Sequence, residues 1–211
     1  MTWLFSPPSF DDFARLFKAW RFWSVGVLIG GMIGAAVYYF APPPYRAHAT
    51  VLVDFNLEEA WPKDAPRKQF YYLERETRKL EEIAFSDIVM ESIVENDRQN
   101  TVMELREEKL FLSQPGDGGW NFYAYDNDPR RAADLVSAWA RAFAGQVTAR
   151  VASAQGVNSF IEVTVTQSAN LPVERSISLS TYLFTSVIGF LALASIIVLF
   201  FDFGKKSSVN Q

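Results

Sequence analysis

Two long apolar runs, one near each end of the chain, constrain its fold more than any other feature of the sequence. The runs Phe22 to Ala41 and Tyr182 to Phe201 contain no charged side chain. Each spans roughly 20 residues, the length that an α-helix needs to cross the hydrocarbon core of a bilayer. Because a segment in lipid must satisfy its own backbone hydrogen bonds, both runs are predicted to be transmembrane helices.

A cleaved signal peptide is the main alternative interpretation of the first run. However, a long segment precedes this run, and Pro42-Pro43-Pro44 follows it without a small-x-small cleavage pattern. We therefore expect the first helix to be retained.

The distribution of basic residues predicts which parts of the chain face the cytoplasm. Arg15, Lys18 and Arg21 precede the first run, and Lys205 and Lys206 follow the second. The positive-inside rule then places both termini in the cytoplasm and the middle of the chain outside the membrane. The predicted segments are a cytoplasmic or interfacial amphipathic arm (1–21), a first span (22–41), an extracytoplasmic α/β domain (42–181), a second span (182–201) and a short cytoplasmic tail (202–211).

Composition and missing motifs exclude several functions. The net charge of −4 and the pI near 5.1 provide no basic surface of the kind that nucleic acid requires. The chain has no cysteine and one histidine, His48, so thiolate chemistry is excluded and a histidine-based triad is not indicated. It also lacks a phosphate-binding loop and a glycine-rich dinucleotide turn. We therefore expect no enzyme activity, cofactor or metal, and no nucleic-acid partner.

The segment between the two runs has the pattern of an α+β domain, with a small mixed sheet packed by helices. Its strands are predicted from alternating polarity and its helices from apolar residues at helical spacing. The inward face of the first long helix is predicted from Phe70, Leu73, Thr77, Leu80 and Ala84. The other predicted elements are a strand over Arg46–Phe55, a hairpin around Pro115–Gly118, a helix from Pro129 and a last strand over Phe160–Gln167.

Three glycines of the first run repeat every four residues. Gly26, Gly30 and Gly34 therefore lie on one helix face and leave it bare enough for another helix to approach closely. This spacing predicts a helix-packing face that contacts another subunit or a partner.

Aromatic side chains of the middle segment are candidate glycan contacts, because sugar rings stack on aromatic faces. The candidates are Trp61, Trp120 and Tyr123. The alternative is that these rings pack in the core and along strands, where aromatic residues are common.

Several short motifs, in their order along the chain, resemble the chain-length determinant family, also called polysaccharide co-polymerases or Wzz-like proteins. Pro44-Tyr45-Arg46-Ala47 resembles the start of the family's first strand. Asn127-Asp128-Pro129 with Ala132-Ala133 resembles its helix start, and Ala169 with Pro172 resembles its approach to the second span. Only about ten residues separate the helix near Arg150 from the next strand, so this chain would be a short member without long membrane-distal helices. We also expect no kinase domain, because Asp202 to Gln211 is a short polar tail.

The resemblance implies a non-enzymatic scaffold in a bacterial inner membrane, with its central domain in the periplasm or outside the cell. Such a scaffold would form a homo-oligomeric ring beside polysaccharide polymerase or export machinery, and would set the length or export of an O-antigen, capsule or exopolysaccharide. Two alternatives stay open: an adaptor that activates a separate cytoplasmic tyrosine kinase, and an accessory subunit of an unrelated membrane complex.

Overall fold

The computed structural model of the chain describes residues 20–60, 66–96, 100–113, 119–154, 156–170 and 173–207. Most of the predicted amphipathic arm and the last residues of the predicted tail lie outside these ranges. The helices are α1 (Trp20–Phe40), α2 (Leu57–Ala60), α3 (Pro66–Ala84), α4 (Asp87–Asn96), α5 (Val102–Glu104, continued by a π-helical turn over Leu105–Lys109), α6 (Pro129–Ala152) and α7 (Leu179–Ser207). The strands are β1 (Tyr45–Asp54), β2 (Leu110–Ser113), β3 (Gly119–Asp126), β4 (Glu162–Gln167) and β5 (Glu174–Arg175).

The chain divides into two compact units. One contains Met1–Pro43 and Ile177–Gln211, and the other is the continuous segment Pro44–Ser176. In the first unit, α1 and the first 20 residues of α7 are long and apolar enough to cross a membrane. The second unit is an α+β domain built around one small sheet. The mixed α+β class is therefore confirmed.

The sheet is antiparallel at every pairing among the described strands, so the prediction of a mixed sheet is wrong. Four strands follow the order β2-β3-β1-β4, and β5 pairs with the start of β1. The sequence order β3-α6-β4 is typical of a parallel crossover, and these two strands do run in the same direction. However, β1 lies between them and is antiparallel to both.

One face of the sheet is buried against α6. Alternate residues of β1 and β3 are buried, as the alternating sequence predicted for β1. The ring of Phe122 lies between Trp139 and Phe143 of α6, with centroid distances of 4.6 and 5.2 Å. The Trp139 indole Nε1 also donates a hydrogen bond to the Ala84 carbonyl oxygen at 2.8 Å, which ties α3 to α6. Aromatic packing therefore joins the sheet and its helices into one core.

The inward face of α3 differs from the predicted one. Leu80 and Ala84 are buried as expected, but Phe70 is 64 % exposed. The buried stripe instead follows Tyr72, Glu76 and Leu80 at four-residue spacing. Tyr72 is buried in the same first turns, so the buried face is rotated away from Phe70. The Phe70 ring instead meets the exposed Tyr71 ring edge to face, with centroids 5.9 Å apart.

Candidate functional site

The glycine face of α1 packs closely on α7. A Cβ atom added to Gly30 would lie 2.9 Å from the Val187 Cα atom, and one added to Gly34 would lie 2.9 Å from the Tyr182 carbonyl oxygen. At Gly26 the same atom would meet the Phe190 carbonyl oxygen at 3.4 Å, an ordinary contact. The structure thus gives the predicted helix-packing face a partner within the same chain.

A polar contact reinforces this helix pair. The Ser186 hydroxyl of α7 donates a hydrogen bond to the Gly30 carbonyl oxygen at 2.5 Å. Toward one end of the pair, the Tyr38 and Tyr182 rings meet edge to face with centroids 5.6 Å apart. The hydroxyl can reach the backbone of α1 because Gly30 has no side chain. A serine inside an apolar run was the signal that could have indicated this contact from the sequence.

A partly buried polar cluster lies where β3 turns into α6. The Lys109 ammonium donates to Asn100 Oδ1 at 2.6 Å and to Asp126 Oδ2 at 3.1 Å, and it lies 3.1 Å from Glu104 Oε1. Asp126, whose side chain is 5 % exposed, also accepts a hydrogen bond from the Asp128 backbone N–H. These contacts join the π-helical turn, β3 and the start of α6. We call Asn100, Glu104, Lys109 and Asp126 the corner cluster.

The charges of the corner cluster shift its ionisation equilibria. Burial acts to raise the pKa of Asp126, but the hydrogen bonds from Asp128 and Lys109 and the Lys109 charge outweigh it, so this pKa lies below its ordinary value. Burial likewise acts to lower the pKa of Lys109, but its contacts with Glu104 and Asp126 raise it above the ordinary value. Both groups are therefore held in their charged forms, as a structural ion pair requires.

The motif residues on which the resemblance rests lie at two junctions of the domain. One is the turn from β3 into α6, and the other is the place where the start of β1 meets β5. Asp128 caps α6 by accepting a hydrogen bond from the Arg130 backbone N–H at 2.8 Å, and Pro129 occupies the first turn. Ala132 is buried beneath them. At the other junction, the Pro44 carbonyl oxygen accepts from the Ser176 backbone N–H at 2.9 Å.

The second junction also contains Tyr45, whose ring lies 4.8 Å from the Arg175 guanidinium carbon. Ala169 is partly buried against the core, and Pro172 lies outside the described residues. Strand β5, which closes this junction, was not predicted from the sequence because two residues are too few to show a period.

A second buried carboxylate anchors α3. Glu76 Oε1 accepts a hydrogen bond from the Lys79 ammonium at 2.9 Å, and the same ammonium donates to the Gly156 carbonyl oxygen at 2.7 Å. The pKa of the neighbouring Tyr72 phenol is raised, first by burial and then by the Glu76 charge. These contacts hold α3 to the loop that follows α6, which is a structural role.

The three candidate glycan contacts have different outcomes. Trp120 is 2 % exposed and stacks on Phe143 in the core, so it leaves no ring face for a sugar. Tyr123 is half-buried on the outer face of the sheet, the face turned away from α6. Trp61 lies outside the described residues. Tyr123 is therefore the candidate that the structure leaves at a surface.

Among the residues that the structure describes, no group of three or more His, Asp or Glu side chains is arranged to hold a metal ion. Comparison with known proteins gives no further assignment. No family model matches the chain, and no curated protein matches it.

Proposed function

We propose that this protein is a non-enzymatic membrane scaffold that sets the length or export of a bacterial surface polysaccharide. Two apolar helices would anchor it in the inner membrane with both termini in the cytoplasm. The Pro44–Ser176 unit would then lie outside the cytoplasm, where polymer is assembled or exported. Assembly into a homo-oligomer beside the polymerase or export machinery belongs to the same proposal.

One observation carries the proposal: a single compact α+β unit is inserted between two apolar helices that pack on each other. The resemblance likewise rests on two predicted spans that flank one domain. Further support comes from the motif residues, which lie at the junctions that define the unit. Asp128 and Pro129 start α6, while Tyr45, directly after Pro44, starts β1 beside β5.

Deletion of the gene tests the proposal directly. A scaffold that makes no bonds would change the length distribution of a surface polysaccharide but leave its sugar linkages intact. The measurements are electrophoretic length profiling and linkage analysis of the polymer from wild-type, deletion and complemented cells. The complemented strain is the control for effects on neighbouring genes.

Two outcomes of this experiment would contradict the proposal. An unchanged length distribution would remove the protein from polymer assembly. Complete loss of polymer while the polymerase and export proteins are still present would indicate a catalytic or essential export role instead.

A further inference from the structure

Three rings form a row across the outer face of the sheet, one on each of three neighbouring strands. His48 of β1 is the register partner of Tyr123 of β3, and Tyr123 is the partner of Phe111 of β2. The ring centroids are 6.0 and 6.3 Å apart, and the planes are inclined by 32° and 41°. Since adjacent strands lie about 4.8 Å apart, the register places one ring on each strand. We call His48, Tyr123 and Phe111 the aromatic row.

The aromatic row is accessible although the domain has a well-packed aromatic core. Phe111 is 57 % exposed, His48 is exposed and Tyr123 is half-buried. The Arg46 guanidinium carbon lies 5.5 Å from the centroid of Tyr123 and helps to fix that ring. Side-by-side rings held at a protein surface provide a platform on which flat, partly apolar ligand faces can stack.

A cleft continues the row on the far side of His48. On the side of β1 opposite β3, β1 pairs with β5 at Tyr45 and Arg46 and with β4 from Thr50 onward. The stretch 47–49 lies between these two ladders. A cleft of about 450 Å³ opens there, and Arg46, His48, Gln167, Asn170 and Glu174 contribute most of its polar lining. His48 belongs to both the cleft and the aromatic row, so the two form one continuous surface.

The side chains of the cleft match the chemistry of sugar hydroxyls. Gln167 and Asn170 each provide amide donors and an acceptor, Glu174 provides acceptors and Arg46 provides donors. A sugar hydroxyl both donates and accepts, so it can pair with every one of these groups. The aromatic row supplies the complementary stacking surface for the C–H faces of sugar rings.

Other ligand classes fit this surface less well. The Glu174 carboxylate disfavours a phosphate or another strong anion, although Arg46 is present. A lipid acyl chain would meet a lining that is mainly polar. In the cleft, an added peptide strand would meet the 47–49 gap, which is too short for the repeated backbone hydrogen bonds of strand addition.

We propose that the cleft and the aromatic row together bind a short segment of polysaccharide without strong net charge. One sugar would lie in the cleft, and its neighbours would stack along the row toward Phe111. The ring centroids are 6.0 and 6.3 Å apart, so the row offers separate contacts along the length of a bound chain. The identity of the bound polysaccharide comes from the proposed function, so this inference rests on that function.

The binding test uses the full chain in lipid nanodiscs. The probe is a set of size-fractionated oligosaccharides, released by mild acid hydrolysis from the surface polysaccharide of the cells that produce the protein. Affinity is measured by titration calorimetry, and saturation-transfer NMR identifies the sugar protons in contact. Phe111→Ser should weaken binding about tenfold, since an aromatic anchor at a binding surface contributes more than 1 kcal/mol. Asn170→Ala, a change outside the strands, should also weaken it.

Tyr71→Ser on α3 is the matched control. Tyr71 is 60 % exposed and Phe111 is 57 % exposed, so both substitutions remove a similarly exposed ring from the same unit. The control should bind like the wild type. Equal affinity of Phe111→Ser, Asn170→Ala and the control would overturn the inference, as would failure of the wild type to bind any fraction.

Failure of this inference is distinguishable from failure of the proposed function. If gene deletion changes polymer length but the substitutions leave binding unchanged, the scaffold function stands and the binding surface is wrong. If oligosaccharides bind in a Phe111-dependent manner but deletion leaves polymer length unchanged, the surface stands and the proposed function is wrong.

Discussion

Asp126 connects three segments of the α+β unit through one carboxylate. It contacts Lys109 from the π-helical turn and the Asp128 backbone from the start of α6, while its own backbone ends β3. No local pattern in the sequence indicates this arrangement. The contact between Lys109 and Asp126 depends on how the hairpin folds back, so only the tertiary structure reveals it.

We expect the corner cluster to make stability depend on pH. The pKa of Asp126 is lowered on folding, so its contribution is present above the unfolded value of about 3.9 and is lost as the pH falls below it. The pKa of Lys109 is raised, so its contribution is present below the unfolded value of about 10.4 and is lost at higher pH. The melting temperature of the detergent-solubilised chain should therefore decline at both extremes.

Two substitutions identify the residue responsible for the acid decline. Asp126→Asn should lower the melting temperature at neutral pH and make the acid decline shallower than in the wild type. Asp134→Asn, which changes an exposed carboxylate on α6, is the control and should leave the profile unchanged. Parallel acid declines in the wild type and Asp126→Asn would show that the corner cluster does not carry this dependence.

Individual elements were predictable where burial follows a strict period. The alternation in β1 and the stripe Leu135, Trp139 and Phe143 in α6 appear in the sequence because each element buries one continuous face. Phe70 was misplaced because the apolar pattern favoured a face offset from the buried one, which includes the polar residues Tyr72 and Glu76. The glycine repeat predicted close packing, but a single sequence does not reveal which helix fills that face.

Substitutions in the glycine face should destabilise the helix pair selectively. Gly30→Leu forces α1 away from α7, because even a Cβ atom would approach the Val187 Cα atom to 2.9 Å. The hydrogen bond from Ser186 would be strained at the same time. An overpacking cost of about 1–3 kcal/mol is expected and should lower the melting temperature of the solubilised chain.

Gly31→Leu is the control for this substitution. It adds the same side chain to the same helix, but a Cβ atom at Gly31 meets nothing within 4 Å. It should melt close to the wild type. Equal melting temperatures for the two variants would mean that the close approach at Gly30 does not stabilise the pair.

For the molecule as a whole, the order of the helices and strands was easier to predict from the sequence than the surface proposed to bind polysaccharide. Two uncharged runs predicted the two long apolar helices, because a bilayer requires a length and polarity that few other environments do. The aromatic row was not predicted, because His48 and Phe111 are far from Tyr123 in the sequence or on another strand, and the strand register brings the three rings together. Trp120 of β3 was also a candidate glycan contact, but it lies on the face of the sheet that is buried against α6.

The central claim is that two membrane spans hold the α+β unit outside the cytoplasm, and cysteine accessibility tests it most directly. The natural chain contains no cysteine, so it serves as an unlabelled background. Single substitutions Thr164→Cys, on the exposed side of β4, and Gln211→Cys, at the C-terminus, are treated with a membrane-impermeant maleimide. In cells with an intact inner membrane, Thr164→Cys should be labelled, and Gln211→Cys should be labelled only after lysis. Protection of Thr164→Cys until lysis would contradict the account.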